Sequence, residues 1–137
     1  MTTPDQASPR AMLWTGRVLS GLFVAFMLMD LTMKLLDLPV VAETSRQLGL
    51  PTDQARLLGT IQLICVALYV YPRTSVLGAI LVTAYMGGAI ETHLRVASPL
   101  FTHILFGVYL ALIAWGGLWL RDARLRSLFP WRRSLTA

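Results

Sequence analysis

The sequence predicts an all-α membrane protein, a four-transmembrane-helix bundle with a short outer interfacial helix between helices 1 and 2. Three observations lead there. Hydrophobic residues make up 55% of the 137-residue chain and charged residues only 14%, with a mean hydropathy of +0.62, whereas soluble domains carry about 25% charged residues. The apolar residues gather into four runs, and a hydrocarbon core of about 30 Å takes about 20 helical residues to cross. The lysines and arginines, finally, divide unequally between the two ends that such a bundle would have.

The elements follow in chain order. Residues 1–11 are polar and read as a disordered cytoplasmic N-terminus, ahead of a membrane domain over 12–130 and a basic cytoplasmic tail over 131–137. The first span, near 12–36, holds Arg17 as its one charge before Asp30; it is too long, and too far from any small-residue cleavage site, for a signal peptide. The link LPVVAETSRQLGLPTD then offers a short helix, opened by Pro39 and closed by Gly49 before Pro51 restarts the chain. A helix capping the bundle on one side implies a cavity beneath it. The second span lies near 52–71. Pro72 in YPRT forces a tight turn into the third, near 74–94, and the fourth runs near 99–120.

Lysine and arginine resist translocation. The side carrying the N-terminus, the 72–74 turn and the C-terminus holds Arg10, Arg17, Arg73, Arg121, Arg124, Arg126, Arg132 and Arg133 against Asp5 and Asp122. The other side holds Lys34, Arg46, Arg56 and Arg95 against Asp30, Asp37, Glu43, Asp53 and Glu91. Both termini are therefore expected in the cytoplasm. Trp14, Trp115, Trp119, Trp131, Tyr69 and Tyr71 fall toward the basic side, as an interfacial aromatic belt does. The tail RDARLRSLFPWRR reads as a topology determinant resting on anionic lipid, with no nucleic acid as partner. Cys65 stands alone, and neither a CxxC, a nucleotide loop nor a fixed-period repeat is visible.

Apart from Arg17, the ionisable groups near the spans lie in the outer half: Asp30 and Lys34 on the first, Glu91, His93 and Arg95 closing the third, His103 one turn into the fourth. Gln62 lies mid-span on the second and Tyr109 on the fourth. At about 100° per residue, Glu91 shares a face with Ala84, Gly87, Gly88 and Arg95, while His93 points about 160° away. Small residues at this spacing let helices approach, so Glu91 is expected to face the bundle and His93 the outside or the cap. Asp30 shares its face with Phe23, Phe26, Met27 and Lys34. The structural alternatives stand beside these readings. Asp30 with Lys34 and Glu91 with Arg95 are i,i+4 pairs that neutralise themselves, Gln62 serves as an interhelical hydrogen-bonder, His103 sits at headgroup level, and Tyr109, Trp115 and Met27 are packing or belt residues. Ionisable groups within a span are costly and mark function by default, and their shared depth favours a site.

LGTIQLICVALYVYPRTSVLGAILVTAYMGGAIETHLRV and PLFTHILFGVYLALIAWGGLWLRDARLRSLFP resemble the DoxX-like family of small four-helix bacterial membrane proteins, over roughly residues 13 to 130; the PRT, GGA-x-x-THLR and WGGLWLRD segments carry the resemblance. It implies a four-helix bundle in the bacterial inner membrane. It also implies kinship with a subunit linked to thiosulfate oxidation onto quinone and with membrane partners of redox enzymes. In that family the position of Gln62 commonly holds Glu and that of Glu91 a small apolar residue, so the resemblance implies a carboxylate moved from helix 2 to helix 3.

A carboxyl in an apolar cavity beside a base is apparatus for moving a proton. The expected function is binding of a small lipophilic ligand in the outer half of the bundle, with cofactor-free acid–base catalysis such as isomerisation or epoxide opening. Asp30 and Glu91 are the expected acid and base and His103 a proton relay; Gln62, Tyr109, Phe23, Met27, Arg95 and Lys34 are the expected substrate contacts, with no metal. The alternatives are a quinone-linked redox subunit, with His103 or Gln62 on a quinone carbonyl or haem held by His93 and His103, and a purely structural membrane partner. A homodimer in the lipid bilayer is the expected assembly.

Overall fold

A computed structural model describes residues 9–130 of the chain. The order is α1 (Pro9–Leu35), α2 (Pro39–Gln47), a 3-10 turn (Thr52–Gln54), α3 (Ala55–Val70), α4 (Ser75–Arg95), a π-helical turn (Leu100–Ile104), α5 (Phe106–Arg121) and α6 (Ala123–Leu128), with no strand among the described residues. The all-α class is as expected, and each expected span contains one long helix. Residues 1–8 and the tail 131–137 lie outside the described residues; of the expected disordered stretch 1–11, residues 9–11 belong to α1. Trp131 of the expected belt also lies outside them.

Three helical stretches are long and apolar enough to cross a membrane: Arg10–Leu35, Ser75–Arg95 and Leu100–Arg121. α3 is equally apolar but has only 16 residues, or about 24 Å at 1.5 Å per residue. The 3-10 turn in front of it supplies the rest of the stretch expected near 52–71.

The four long helices form a closed ring, α1 beside α3, α3 beside α4, α4 beside α5, and α5 back against α1. Their register is up-and-down. Ser20 meets Tyr69 and Met27 meets Gln62 across α1 and α3, Tyr85 meets Gln62 across α3 and α4, Thr83 meets Trp115 across α4 and α5, and Phe26 meets Phe106 across α5 and α1. α1 and α4 thus stand on the diagonal. The centre is filled by Phe23, Met27, Tyr69, Val82, Ala114 and Leu118, each at most 1% exposed. Large apolar side chains such as Leu22, Leu112 and Phe101 are more than 60% exposed on the outside, an arrangement that fits contact with lipid tails. Tyr69 departs from the expected belt: it is fully buried, and its hydroxyl donates to the Ala114 carbonyl at 2.7 Å.

Glycine sets two of the helix contacts. A Cβ on Gly16 would lie 2.8 Å from the Gly117 carbonyl oxygen, and one on Gly117 would lie 2.6 Å from Ser20 Oγ, so α1 and α5 touch backbone to backbone there. A Cβ on Gly78 would run into the backbone of Tyr69, which is why the YPRT turn can bring α4 straight back along α3. α2 opens on Pro39 at its first turn, where a missing N–H is harmless. It is followed by Gly49 at φ +67°, a left-handed position that favours glycine.

Candidate functional site

The site grows from a lysine at the end of α1. Lys34 lies one turn beyond Asp30, and its amine donates to the Asp30 carboxylate at 2.5 Å. It also reaches two other helices, donating to Gln62 Oε1 on α3 at 3.0 Å and to the Tyr85 hydroxyl on α4 at 3.1 Å. Tyr85 in turn donates to the same Gln62 oxygen at 3.0 Å. The Gln62 amide nitrogen turns back to α1, donating to the Met27 carbonyl at 3.1 Å and lying 3.7 Å from the Met27 sulfur. An amide fits this position because it accepts on one side and donates on the other. No buried side-chain nitrogen or oxygen among the described residues is left without a partner.

Two cavities flank this cluster, and both are walled by Asp30, Lys34, Tyr85, Ala89 and His93. The larger, about 430 Å³, lies beneath α2, between Thr44, Leu48 and Leu50 on one side and Leu58, Ala84 and Gly88 on the other, with Gln54 and Thr92 at its edge. The smaller, about 170 Å³, opens between α1, α4 and α5, against Met27, Phe106 and Leu110. The side chains of Lys34 and Asp30 remain 20% and 30% exposed, so the cluster is open to the cavities. Lysine, tyrosine and glutamine supply donors and an acceptor, and aspartate a base, on otherwise apolar walls.

At the mouth of the smaller cavity stand two histidines. The His93 and His103 rings lie 5.6 Å apart, centroid to centroid. His93 Nδ1 is bonded to Ser98 Oγ at 3.0 Å and His103 Nδ1 to Thr102 Oγ1 at 2.8 Å, and neither Nε2 is hydrogen-bonded among the described residues. The π-helical turn carries His103: the Ile104 and Leu105 amides reach back five residues, to Pro99 and Leu100, and this wider turn sets the imidazole against the end of α4. No group of three or more metal-ligating side chains occurs among the described residues.

The expected site residues divide accordingly. Asp30, Lys34, Gln62 and Met27 converge, with His103 at the rim. Glu91 does not join them: it is exposed and lines neither cavity. The buried face of α4 runs through Gly78, Ala79, Val82 and Met86 and continues to His93, which takes the inward place expected for Glu91. The stripe Ala84, Gly87 and Gly88 lies off the packed core, with open space beside both glycines, and Ala84 and Gly88 instead help to wall the larger cavity. The expected Glu91–Arg95 pair is absent among the described residues, and Arg95 donates instead to the Leu48 carbonyl at 3.2 Å, tying α4 to the end of α2. Tyr109 is 42% exposed and lines neither cavity, because its neighbours Gly107 and Leu110 hold the inner face of α5. Phe23 is a core residue, edge-on to Tyr69 with centroids 5.1 Å apart, outside both cavities.

Tyr85 is the residue that sequence reasoning missed. It lies within the apolar run SVLGAILVTAYM, yet mid-span tyrosines need a partner for the hydroxyl, and its place beside Met86 and three residues after Val82 puts it on the inner face. The carboxylate of the site is Asp30 on α1. The shift from helix 2 to helix 3 implied by the resemblance therefore does not bring a carboxylate back into the cavity.

Comparison with curated proteins and with solved structures gives no significant match. Residues 18–117, well over half of the chain, match the DoxX-like family, and the protein belongs to that family.

Proposed function

We propose that this DoxX-like protein is a four-span inner-membrane bundle with both termini cytoplasmic, which takes a small lipophilic molecule with one polar head into the cavity beneath α2 and moves a proton on it. The observation that carries the reading is the single amine of Lys34 joining Asp30, Gln62 and Tyr85 between two apolar-walled cavities. A carbonyl or epoxide oxygen that replaces Gln62 Oε1 as the acceptor receives donation from both Lys34 and Tyr85, which stabilises negative charge developing on that oxygen. Asp30 accepts the proton removed from carbon, and Tyr85 or Lys34 returns one to complete an isomerisation or ring opening. The α2 helix would lie at the outer surface as the lid of the cavity, and the 3-10 turn would lengthen α3 into the fourth span.

The test is mass spectrometry of organic extracts from protein purified out of its native membrane, beside Lys34→Met and Asp30→Asn. A specific lipophilic molecule retained by the parent and lost from both variants is the expected result. Bulk phospholipid alone in all three would end the reading. A quinone retained by the parent and released by His93→Ala or His103→Ala would select the redox alternative, for which the two unengaged Nε2 atoms are the supporting feature.

A further inference from the structure

The opposite, arginine-rich end of the bundle carries a second polar cluster that the proton-transfer reading does not use. Arg121, the last residue of α5, donates from Nε to Ser20 Oγ at 3.1 Å and lies over the Tyr69 ring, 5.5 Å from its centroid. Ser20 and the Tyr69 hydroxyl are themselves 3.0 Å apart. The guanidinium is thus fixed by its inner edge, and its terminal amino groups donate to no acceptor among the described residues. The acid next to it in the chain, Asp122, forms no ion pair with it among the described residues; its Oδ1 accepts from the Arg124 and Leu125 amides as the cap of α6.

A groove of about 270 Å³ starts at this guanidinium and runs between α1 and α3, with Arg17 on its other lip and Gly21, Val24 and Val70 along its floor. Arg17 has no carboxylate partner among the described residues either; its guanidinium rests against Trp14 at 5.6 Å. Gly21 leaves the groove open, with nothing within 4 Å of where a Cβ would stand. Two unneutralised arginines at one end of an apolar channel on a lipid-facing surface form a complementary site for a molecule with an anionic head and a hydrocarbon tail. Arginine suits this role because its planar donors match phosphate oxygens.

We infer that the groove between α1 and α3 binds an anionic phospholipid, its phosphate between Arg17 and Arg121 and one acyl chain over Gly21, Val24 and Val70. The lipid would neutralise the arginine pair and fill the seam between the two helices.

Native mass spectrometry of the full chain, titrated with phosphatidylglycerol, phosphatidylcholine or inorganic phosphate, tests this. The parent is expected to retain phosphatidylglycerol over phosphatidylcholine. Arg17→Gln is expected to weaken phosphatidylglycerol about fivefold, the worth of one basic residue at a membrane surface. Gly21→Leu, whose Cβ meets nothing within 4 Å and whose side chain enters the groove, is expected to weaken it with both arginines intact and the melting temperature not lowered. Arg121 is left alone because it also braces Ser20 and Tyr69. Equal retention of the two lipids, or phosphatidylglycerol binding indifferent to both substitutions, would overturn the inference. Inorganic phosphate competing as strongly as the lipid would do so too, since it would mark a bare anion site.

Discussion

The amine of Lys34 lies 3.0 Å from the side-chain oxygen of Gln62, 28 positions away and on another helix. With Tyr85 bonded to both, three of the four ring helices are joined at one point, and α1 is tied to α4 across the diagonal. Lys34→Met breaks the three bonds of the amine, sparing only the one from Tyr85 to Gln62, and leaves Asp30 without its cation. Removing one partner of a largely buried pair costs about 3 kcal/mol, so a clear fall in thermal stability in detergent is expected. The double variant Asp30→Asn/Lys34→Met is expected to recover much of that loss, because no uncompensated charge remains.

Tyr85→Phe deletes only the hydroxyl between Lys34 and Gln62. That hydroxyl makes two hydrogen bonds there, each contributing about 1 kcal/mol, while Lys34 and Gln62 keep the bond between them, so the bundle is expected to melt modestly earlier and otherwise intact. Retention of the lipophilic ligand is expected to fall much more than stability, as a comparison of extracts with melting curves would reveal.

Gln62→Glu tests the amide directly. A carboxylate cannot donate to the Met27 carbonyl, which loses its partner at 3.1 Å, and a second acid is set beside Asp30 with one lysine for both. The expected loss is about 2 kcal/mol, measured by chemical or thermal unfolding in the same detergent. No change would mean that the amide nitrogen does nothing for the fold.

Glu91→Gln, by contrast, is expected to shift stability by less than about 0.5 kcal/mol, as exposed substitutions do, and to leave ligand retention untouched. Loss of ligand from this variant would put Glu91 in the site after all.

Gly78→Ala places a Cβ against the Tyr69 backbone. Backbone cannot rotate aside as a side chain does, so about 3 kcal/mol of destabilisation is expected, read as a lowered melting temperature. Gly87→Ala, nine residues further up the same helix with open space beside it, is the matched control and is expected to be neutral.

The helices were legible in the sequence because an apolar run bounded by proline, glycine and charge has few other solutions, and α2 was legible from Pro39, Gly49 and Pro51. The polar residues divided by the reach of their side chains. Asp30, Lys34 and Gln62 could be placed by depth, but their convergence with Tyr85 depends on a flexible lysine stem crossing the ring, which no periodicity encodes. Glu91 and His93 show a different limit. Helical angles separate them, but the packed face runs through Val82 and Met86, and the small-residue face borders the larger cavity only as far as Ala84 and Gly88, short of Glu91. The π-helical turn had no sequence signal beyond Pro99, and His103 was brought to His93 by that turn.

The ring also imposes an order on its own assembly. Three of its four seams join helices that follow one another in the chain, whereas the fourth joins the first long helix to the last. Synthesis delivers α1 first and α5 last, so the α1 surface of Gly16 and Ser20 must wait, uncovered, until Gly117 and Arg121 arrive. α5 is therefore the keystone. A chain ended after Arg95 would keep Lys34, Gln62 and Tyr85 and still expose one long flank of α1 to whatever helix came first, which makes α5 the step that separates a closed ring from an open one.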